Sequence, residues 1–382
     1  MADPLFDEIS ATTLQEIYPD VIQDEYFKGA PFLAYLRDHC LVPFEGGAFM
    51  QNDFTYAPLI GGFYDIGKTF ITSKPQTIGG MAFDPKKCYV NITEYLEDLR
   101  ITNKGELAVF SMVDTDLRTA MHTMNALWNI ALWQHGQTIA GSDRHSAPNG
   151  LEEIFNNGYD PSYYGNTFTT YGNQTRNGAV GAAVNGWVYW GGTAAGATGM
   201  ITYKDLVKMY LKARRGNQAP NLGVCNKTLF SFMLQRIQTQ QRFGIVHDVI
   251  WGADGIQIMD CNILVDDYAP SASTNDGVND PLLGNYATST FNPQSFATAT
   301  AWSNIAAMVT AGTTTATVGE VLLMMNTNKM LFRVVNDEMF GFGFKPFLMT
   351  GDNTRVCGQE LSAANLQNLA PWSGIVSYGW GS

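Results

Sequence analysis

The sequence predicts an α+β protein in which one long helix separates groups of strands along a chain of 382 residues. Across 104–135, apolar residues recur every three or four positions, which is the period of a helix with one buried face. On both sides of this segment, short apolar and β-branched runs alternate with glycine and proline, which is typical of strands joined by turns. A compact helix–strand–helix pattern near 202–244 completes the mixed class.

The composition indicates a folded protein with large contact surfaces. Hydrophobic residues make up 45% of the chain and aromatic residues 12%, whereas charged residues make up only 15%, below the roughly 25% of ordinary domains. This balance excludes a disordered chain. The formal charge of −12 argues against a dedicated nucleic-acid binder, which needs clustered Lys and Arg. A surface poor in charge and rich in aromatic residues suits contact with other protein, although an extracellular carbohydrate-active protein has a similar composition.

Residues 1–43 are interpreted as an acidic, helix-prone N-terminal arm. A short helix is predicted from Pro31, and Pro19 is expected to break an earlier apolar run. We expect the arm to pack either on its own subunit or on a neighbouring one, and the sequence leaves both open. Only Lys28 opposes the acidic residues of the first thirty positions, which are Asp3, Asp7, Glu8, Glu16, Asp20, Asp24 and Glu25.

Residues 44–95 predict an extended β-hairpin, punctuated by glycine pairs and closed by the alternating strand Cys88–Tyr95. A projecting hairpin with an apolar face aggregates unless another chain covers it. The sequence therefore predicts a subunit interface on this hairpin. The candidate interface residues are Phe54, Tyr56, Phe63, Tyr64, Phe70 and Phe83.

Residues 96–140 contain the long helix, predicted over 104–135 and about 45 Å in length at 1.5 Å per residue. Asn103 is a candidate N-cap, and Gly136 is placed where a C-terminal glycine commonly ends a helix.

Residues 141–325 are predicted to form an α/β domain, with a polar insertion at 271–319 that is rich in Ser, Thr and Ala. It begins with loops and short strands. The predicted regular elements are a helix Tyr203–Arg215 capped by Thr202, a strand Leu222–Cys225, a helix capped by Asn226 and running through Gln241, and strands Gly255–Met259, Asn262–Val265 and Val321–Met325.

Residues 326–382 are predicted to return as strands. The candidates are Phe342–Met349 and Ile375–Tyr378, with a helical turn near Ala364–Leu369.

No catalytic or metal-binding motif emerges from the sequence, so neither enzyme activity nor a cofactor is predicted. The five cysteines are dispersed without a CxxC pair, which indicates buried free thiols. No GxSxG, HExxH or phosphate-binding loop occurs. Three groups of neighbouring carboxylates are more typical of solvated faces than of catalysis: Glu94 with Glu97 and Asp98, Glu152 with Glu153, and Asp266 with Asp267.

Lys204, Lys208 and Lys212 form a stripe at a spacing of four, next to Arg215. A solvated helix face explains this stripe better than a nucleic-acid patch in so acidic a chain. No secretory signal and no membrane span is predicted, so we expect a soluble protein made in the cytoplasm.

The order of these parts resembles the major capsid protein of tailed bacteriophages, whose fold herpesvirus capsids share. In that family an N-terminal arm leads to an extended loop, then to a peripheral domain with a spine helix, then to an axial domain, and back to peripheral strands. The corresponding segments here are Phe49–Phe83 for the extended loop and Lys104–His135 for the spine helix. Those of the axial domain are Thr202–Arg215, Gly223–Asn226, Lys227–Gly244 and Gly255–Val265, and those of the return are Val321–Val335 and Phe342–Tyr378.

The resemblance implies a viral structural protein that self-assembles, through pentamers and hexamers, into an icosahedral head around double-stranded DNA. It also implies scaffold, portal and decoration partners, a place in the virion, and assembly in the host cytoplasm. The alternatives are a carbohydrate-active hydrolase that uses carboxylates such as Glu94 and Asp98, or another virion component such as a tail or decoration protein.

Overall fold

The computed structural model describes most of the chain outside the first thirty residues and the polar insertion. The described residues are 31–67, 69–70, 72–95, 106–133, 135–136, 148–163, 167–191, 199–237, 245–246, 255–266, 268–269, 279–280, 284–285, 320–336, 343–349 and 355–380. The predicted arm up to residue 30, the Asn103 cap and most of the insertion lie outside them.

Six helices are described. They are α1 Pro31–Cys40, α2 Glu106–Trp133, α3 Leu151–Ile154, α4 Gly181–Val184, α5 Tyr203–Ala213 and α6 Lys227–Ile237, and two 3₁₀ turns add Thr327–Lys329 and Pro371–Ser373.

The first strands are β1 Leu41–Phe44, β2 Met50–Thr55, β3 Ile78–Phe83, β4 Lys86–Tyr95, β5 Thr170–Tyr171, β6 Gln174–Thr175, β7 Trp187–Trp190, β8 Leu222–Cys225 and β9 Ile245–Val246. The later strands are β10 Gly255–Ile258, β11 Cys261–Val265, β12 Asn279–Asp280, β13 Gly284–Asn285, β14 Glu320–Met325, β15 Met330–Val335, β16 Gly343–Met349, β17 Arg355–Asn368 and β18 Ile375–Trp380.

A five-stranded sheet is built around β17, the longest strand described. β17 pairs with β4 over ten residues and then with β15, while β16 pairs along its other edge. β1 extends the sheet in parallel with β15. The long helix α2 packs on this sheet, because its apolar face is buried against β4 and β17.

A seven-stranded sheet has the order β7-β18-β14-β8-β11-β10-β9. Alternate residues of its strands enter two different cores: Leu323 packs in the core that contains α1 and α2, whereas Leu322 packs with α5 and α6. Since successive side chains of a strand point to opposite faces, α1 lies on one face of this sheet and α5 on the other.

Most predicted elements are confirmed, including the helix from Pro31, the long helix and the helix–strand–helix of α5, β8 and α6. The Thr202 side chain accepts from the Asp205 N–H, and Asn226 Oδ1 accepts from the Leu229 N–H at 2.9 Å, as expected of N-caps. The end of α6 predicted at Gln241 lies outside the described residues.

Three predictions are wrong. Ala364–Leu369 is not a helical turn, because residues through Asn368 belong to β17. The strand over Cys88–Tyr95 does not close the hairpin, because β4 pairs with β17 in the five-stranded sheet. The last strand, Ile375–Trp380, was predicted as one of the returning strands of 326–382. It does not join the five-stranded sheet, because it pairs with β14 and β7 in the seven-stranded sheet.

The long helix also ends earlier than predicted, at Trp133 rather than near Gly136. The backbone N–H of Gly136 donates to the carboxylate of Glu153 at 3.3 Å. A side chain from α3 therefore binds the backbone just beyond the helix end. No pattern in the sequence around Gly136 predicts this contact.

Candidate subunit interface

The hairpin of β2 and β3 projects from the body of the chain. Its strands pair from Met50 opposite Phe83 at the base to Thr55 opposite Ile78, and the Tyr56 N–H extends the ladder by donating to the Thr77 carbonyl at 3.0 Å. The described residues within 56–77 then form the tip of the hairpin. A ring of Phe54 lies over Gly79 on the opposite strand, where an added Cβ would come within 2.9 Å of it.

Buried polar contacts fix the base of the hairpin to the five-stranded sheet. Asn52 Nδ2 donates to Gln367 Oε1 at 2.5 Å, and Arg333 Nη2 donates to Asn52 Oδ1 at 2.7 Å. Because Asn52 is only 7% exposed, these bonds are shielded from water. They join β2 to β17 and β15, so the base cannot move without breaking them.

The turn between β5 and β6 fixes the other strand of the hairpin. The Ala82 N–H donates to the Gly172 carbonyl at 3.2 Å, and Gln174 Nε2 donates to the Gly80 carbonyl at 2.6 Å. The rings of Phe83 and Tyr171 meet edge to face, with centroids 5.1 Å apart. β3 is therefore anchored by backbone bonds and by an aromatic contact.

The tip carries exposed apolar side chains on this anchored base. Phe63 and Ile66 are fully exposed, at 106% and 103%. Tyr64 and Phe70 are also exposed, and their rings are 5.0 Å apart. A concentration of exposed apolar side chains on one segment makes this tip a candidate interaction site.

The structure separates the six predicted interface residues into three groups. Phe63, Tyr64 and Phe70 are exposed on the tip, and Phe54 and Tyr56 are half-buried where the tip joins the strands. Phe83 is only 4% exposed and packs inside its own chain, so it does not contribute to an exposed surface.

The sequence prediction considered only aromatic residues and therefore missed four exposed aliphatic residues of the same hairpin. The signal that identifies them is their position in the same glycine-punctuated segment. These residues are Leu59, Ile60, Ile66 and Ile78.

A polar cavity of about 280 Å³ lies beside the base of the hairpin, lined among others by Asp84, Lys86, Asn149 and Glu153. Asn149 Nδ2 donates to Glu153 Oε1 at 2.8 Å, and the Asn149 N–H donates to Asn365 Oδ1 at 2.9 Å. Asn365 Nδ2 in turn donates to the Asp84 carbonyl at 2.7 Å. This network connects the hairpin to β17 and to the segment before α3.

The carboxylates of Glu152 and Glu153 are buried, at 1% and 0% exposure, rather than solvated as the sequence predicted. Ser162 Oγ donates to Glu152 Oε1 at 2.5 Å. Arg176 is buried nearby, and its guanidinium donates to the carbonyls of Glu153, Asn156 and Val184. Burial lowers the pKa of Arg176 to about 10, and the charge of Glu153 opposes this shift. These groups stabilise α3 and α4 rather than face a reaction site.

The remaining candidate groups show no catalytic arrangement within the described residues. No cluster of three His, Cys, Asp or Glu side chains that could hold a metal occurs there. The five cysteines are free thiols, and burial raises the pKa of Cys40, Cys88 and Cys261 to about 12. Asp266 is buried, at 0% exposure, rather than solvated as the sequence predicted, whereas Glu97, Asp98 and Asp267 lie outside the described residues.

Across the described part of the chain, no helix is both long and apolar enough to cross a membrane.

Comparison with solved structures identifies the fold. The chain is similar to an encapsulin of Synechococcus elongatus (TM-score 0.51, 9% identity), covering 100% of this chain and 96% of that one. It is also similar to the capsid protein of cyanophage A-1(L) (TM-score 0.56, 11% identity), covering 92% of this chain and 93% of that one. The capsid of a native GTA particle matches with a TM-score of 0.51 and 8% identity over 91% of this chain and 90% of its own.

Two of these three structures are capsids, and the fold class that the three share is the capsid fold. The chain has the major capsid fold of tailed bacteriophages, as the order of elements in the sequence predicted. No protein-family model and no curated protein matches the sequence. At such low identities the similarity concerns the fold, and the function rests on the geometry.

Proposed function

We propose that the chain is a major capsid subunit, which assembles with copies of itself into an icosahedral head that encloses double-stranded DNA. The observation that carries this proposal is the anchored hairpin with its apolar tip, on a fold shared with capsid proteins. An exposed surface that includes Phe63 and Ile66 needs a protein partner, and in a shell each copy provides one.

The energetics favour this use of the hairpin. Burial of a large apolar side chain contributes about 1.5–3 kcal/mol, and the tip presents several such side chains. Because Asn52 and Gly172 hold the base in place, little conformational freedom is lost when the tip binds. A rigid base with an apolar tip is suited to reach across to a neighbouring subunit.

The proposal includes the partners and the place that follow from a phage head. Scaffold, portal and decoration proteins are expected to contact the shell, which belongs to the virion and is assembled in the host cytoplasm. The enclosed DNA is expected to be held without sequence-specific contacts, and no catalytic residue is required.

A second candidate function is a protein shell without nucleic acid. The similarity to an encapsulin over the whole of this chain favours it. The two candidates share the assembly step and differ in what the shell contains.

Expression of the full chain, alone and with the genes that neighbour its own, tests both candidates. Light scattering and negative-stain microscopy should show rings or closed shells. DNA that survives nuclease treatment inside the shells supports the phage head, whereas shells with protein contents and no protected DNA support the second candidate. A subunit that remains a 42.0 kDa monomer under all these conditions would exclude both.

A further inference from the structure

The exposed face of α5 and its C-terminal turn is strongly basic, although the whole chain carries a formal charge of −12. Five exposed basic residues lie within twelve positions, and they are Lys204, Lys208, Lys212, Arg214 and Arg215. Two acidic groups in the described part of the chain lie beside them and are already engaged: Asp205 lies 3.7 Å from Lys208, and Asp260 accepts from the Tyr210 hydroxyl at 3.3 Å. We call these five residues the basic α5 face.

Apolar groups accompany the charges on this face. The Lys212 ammonium lies 5.0 Å from the ring centre of Trp187, and the Arg215 guanidinium lies 4.7 Å from that of Trp372. The Trp187 indole N–H donates to the Trp372 carbonyl at 2.9 Å, which holds the two residues together. Leu211 is 54% exposed beside them. A ligand for this surface should therefore combine negative charge with apolar side chains.

The N-terminal arm of this sequence has that chemistry. Its first thirty residues hold seven acidic residues against Lys28, together with apolar residues such as Ile17, Val21 and Ile22. Asp20 and Asp24 are four positions apart, which is the spacing of the lysines on α5. Its seven acidic residues exceed the number in any stretch of thirty residues elsewhere in the chain, although 251–280, with six acidic and no basic residues, carries the same net charge of −6.

The topology favours a neighbouring copy as the source of the arm. The arm joins the body at Pro31, the first residue of α1, and α1 packs on one face of the seven-stranded sheet. The basic α5 face belongs to the helix on the other face of that sheet. To bind its own α5, the arm would have to pass from the α1 face of the sheet to the α5 face, a constraint that does not apply to the arm of another copy.

We propose that residues 1–30 of a neighbouring copy bind the basic α5 face. This inference rests on the proposed assembly. The negative charge of the chain argues against DNA as the occupant, since much of the surrounding surface would repel phosphates. Within an assembly the effective concentration of the arm is high, so individually weak surface ion pairs suffice for binding.

Cross-linking with a carbodiimide, which joins carboxylates to amines, tests the contact directly. Assemblies formed from equal amounts of unlabelled and ¹⁵N-labelled full-length chain are cross-linked, digested and analysed by mass spectrometry. We expect amide links between acidic residues of 1–30 and Lys204, Lys208 or Lys212. About half of these links should join one light and one heavy peptide, as random mixing of neighbours requires.

Charge reversal gives the matched comparison. The variant Lys204→Glu/Lys208→Glu keeps Lys212 as a reporter, and its link to the arm should fall roughly threefold to tenfold as two ion pairs are lost. Addition of Asp20→Lys/Asp24→Lys should restore the yield. The control variant Lys87→Glu/Lys227→Glu, which changes two exposed lysines of β4 and α6 outside the hairpin tip, should leave the yield unchanged.

Several results would overturn the proposal. Assemblies whose arm links elsewhere, or whose links to α5 join only peptides of the same isotope, exclude this contact between copies. Lysines of α5 that are protected by DNA, become reactive after nuclease treatment and never link to the arm indicate a nucleic-acid site instead. If microscopy shows no assembly, the proposed function fails together with this inference, whereas assemblies without the link overturn the inference alone.

Discussion

At the scale of single residues, polar side chains of the long strand β17 contact both the long helix α2 and the base of the hairpin. Trp128 on α2 donates its indole N–H to Ser362 Oγ at 2.7 Å, and both residues are buried. Ser362 in turn lies 3.4 Å from the sulfur of Met124. The hydrogen bond between Trp128 and Ser362 fixes the helix on the sheet at one position, because a hydrogen bond has a defined length and direction.

We expect Ser362→Ala to destabilise the folded chain by about 1–3 kcal/mol, since it removes the acceptor of a buried donor. Urea unfolding followed by tryptophan fluorescence measures the change. The control is Ser231→Ala, where the serine accepts from Gln235 on an exposed helix face, and it should shift the midpoint very little. Equal shifts for the two variants would contradict the role of the buried bond.

Glu360 is a buried carboxyl on the same face of β17, at 4% exposure. Its Oε2 has no hydrogen-bond partner among the described residues. Burial raises the pKa of Glu360 to about 8. The folded chain therefore keeps a proton on Glu360 at neutral pH, which the unfolded chain releases.

Between about pH 5 and about pH 8 the folded state binds more protons at Glu360 than the unfolded state, so stability should fall as pH rises. For one titrating group, the free energy of unfolding falls by at most about 1.4 kcal/mol per pH unit. We expect Glu360→Gln to remove this part of the pH dependence and to stabilise the chain most at the alkaline end. Urea midpoints across this range provide the measurement. Asp65→Asn, at an exposed position of the hairpin tip, should leave the slope unchanged.

Single residues differ in how far the sequence could predict them. The caps Thr202 and Asn226 were predictable, because a cap contacts backbone only two or three residues away. The burial of Glu152 and Glu153 was not, because it depends on Ser162, Asn149 and Arg176, which arrive from other elements. Adjacent carboxylates look the same in a sequence whether water or buried donors satisfy them.

At the scale of elements, the long helix α2 could be predicted from the sequence, whereas the C-terminal end of β17 could not. The apolar period of α2 spans many turns, so the helix was predictable without its partners. The segment Ala364–Leu369, predicted as a helical turn, contains good helix formers, but its residues Ala364–Asn368 pair with β15 as a strand. Its polar residues Asn365 and Gln367 are buried because they bind Asn149 and Asn52. Tertiary contacts outweigh helix propensity here.

The turn between β5 and β6 is the element on which the hairpin base depends most. Gly172 and Asn173 both have positive φ, at 55° and 63°, as a two-residue type I′ turn requires. A Cβ on Gly172 would lie 2.8 Å from atoms of both Met81 and Phe83 on β3. The glycine thus allows the turn to form and the hairpin to pack against it.

We expect Gly172→Ala to cost about 1–3 kcal/mol, because alanine is strained at this φ and would press on β3. The thermal midpoint of the unassembled subunit measures the loss, and hydrogen exchange at Ala82 should report the weakened contact with the Gly172 carbonyl. Gly62→Ala is the control, since nothing lies within 4 Å of the added carbon. A loss of stability as large in Gly62→Ala would contradict this explanation.

At the scale of the whole molecule, the chain passes between its two sheets more often than its sequence indicates. β4 leaves the hairpin to pair with β17, and β18 leaves the β17 region to pair with β14 and β7. Some strands, such as β8 and β14, were predictable from the sequence, but β15 and β17 were not predicted as strands. Strand partners such as β4 and β17 lie far apart in the sequence. The order of elements was enough for the fold class, whereas the assignment of each strand to a sheet required the structure.

The hairpin tip allows folding and assembly to be separated by mutation. Phe63 and Ile66 are fully exposed in the subunit, so Phe63→Ser/Ile66→Ser should leave the thermal midpoint of the unassembled chain unchanged. If the tip is buried between copies, the same variant loses about 1.5–3 kcal/mol for each side chain at every contact. Each 1.4 kcal/mol corresponds to a tenfold change in an association constant, so the concentration needed for assembly should rise at least tenfold.

Light scattering against protein concentration measures that threshold. The matched control is Tyr159→Ser/Met200→Ser, which removes two exposed apolar side chains at 69% and 52% exposure outside the hairpin. The control separates loss of a specific contact from a general loss of surface hydrophobicity, which would raise both thresholds alike. A tip variant that assembles at the wild-type concentration would mean that the tip faces solvent in the shell. The apolar surface would then have to serve a partner other than a second copy of the chain.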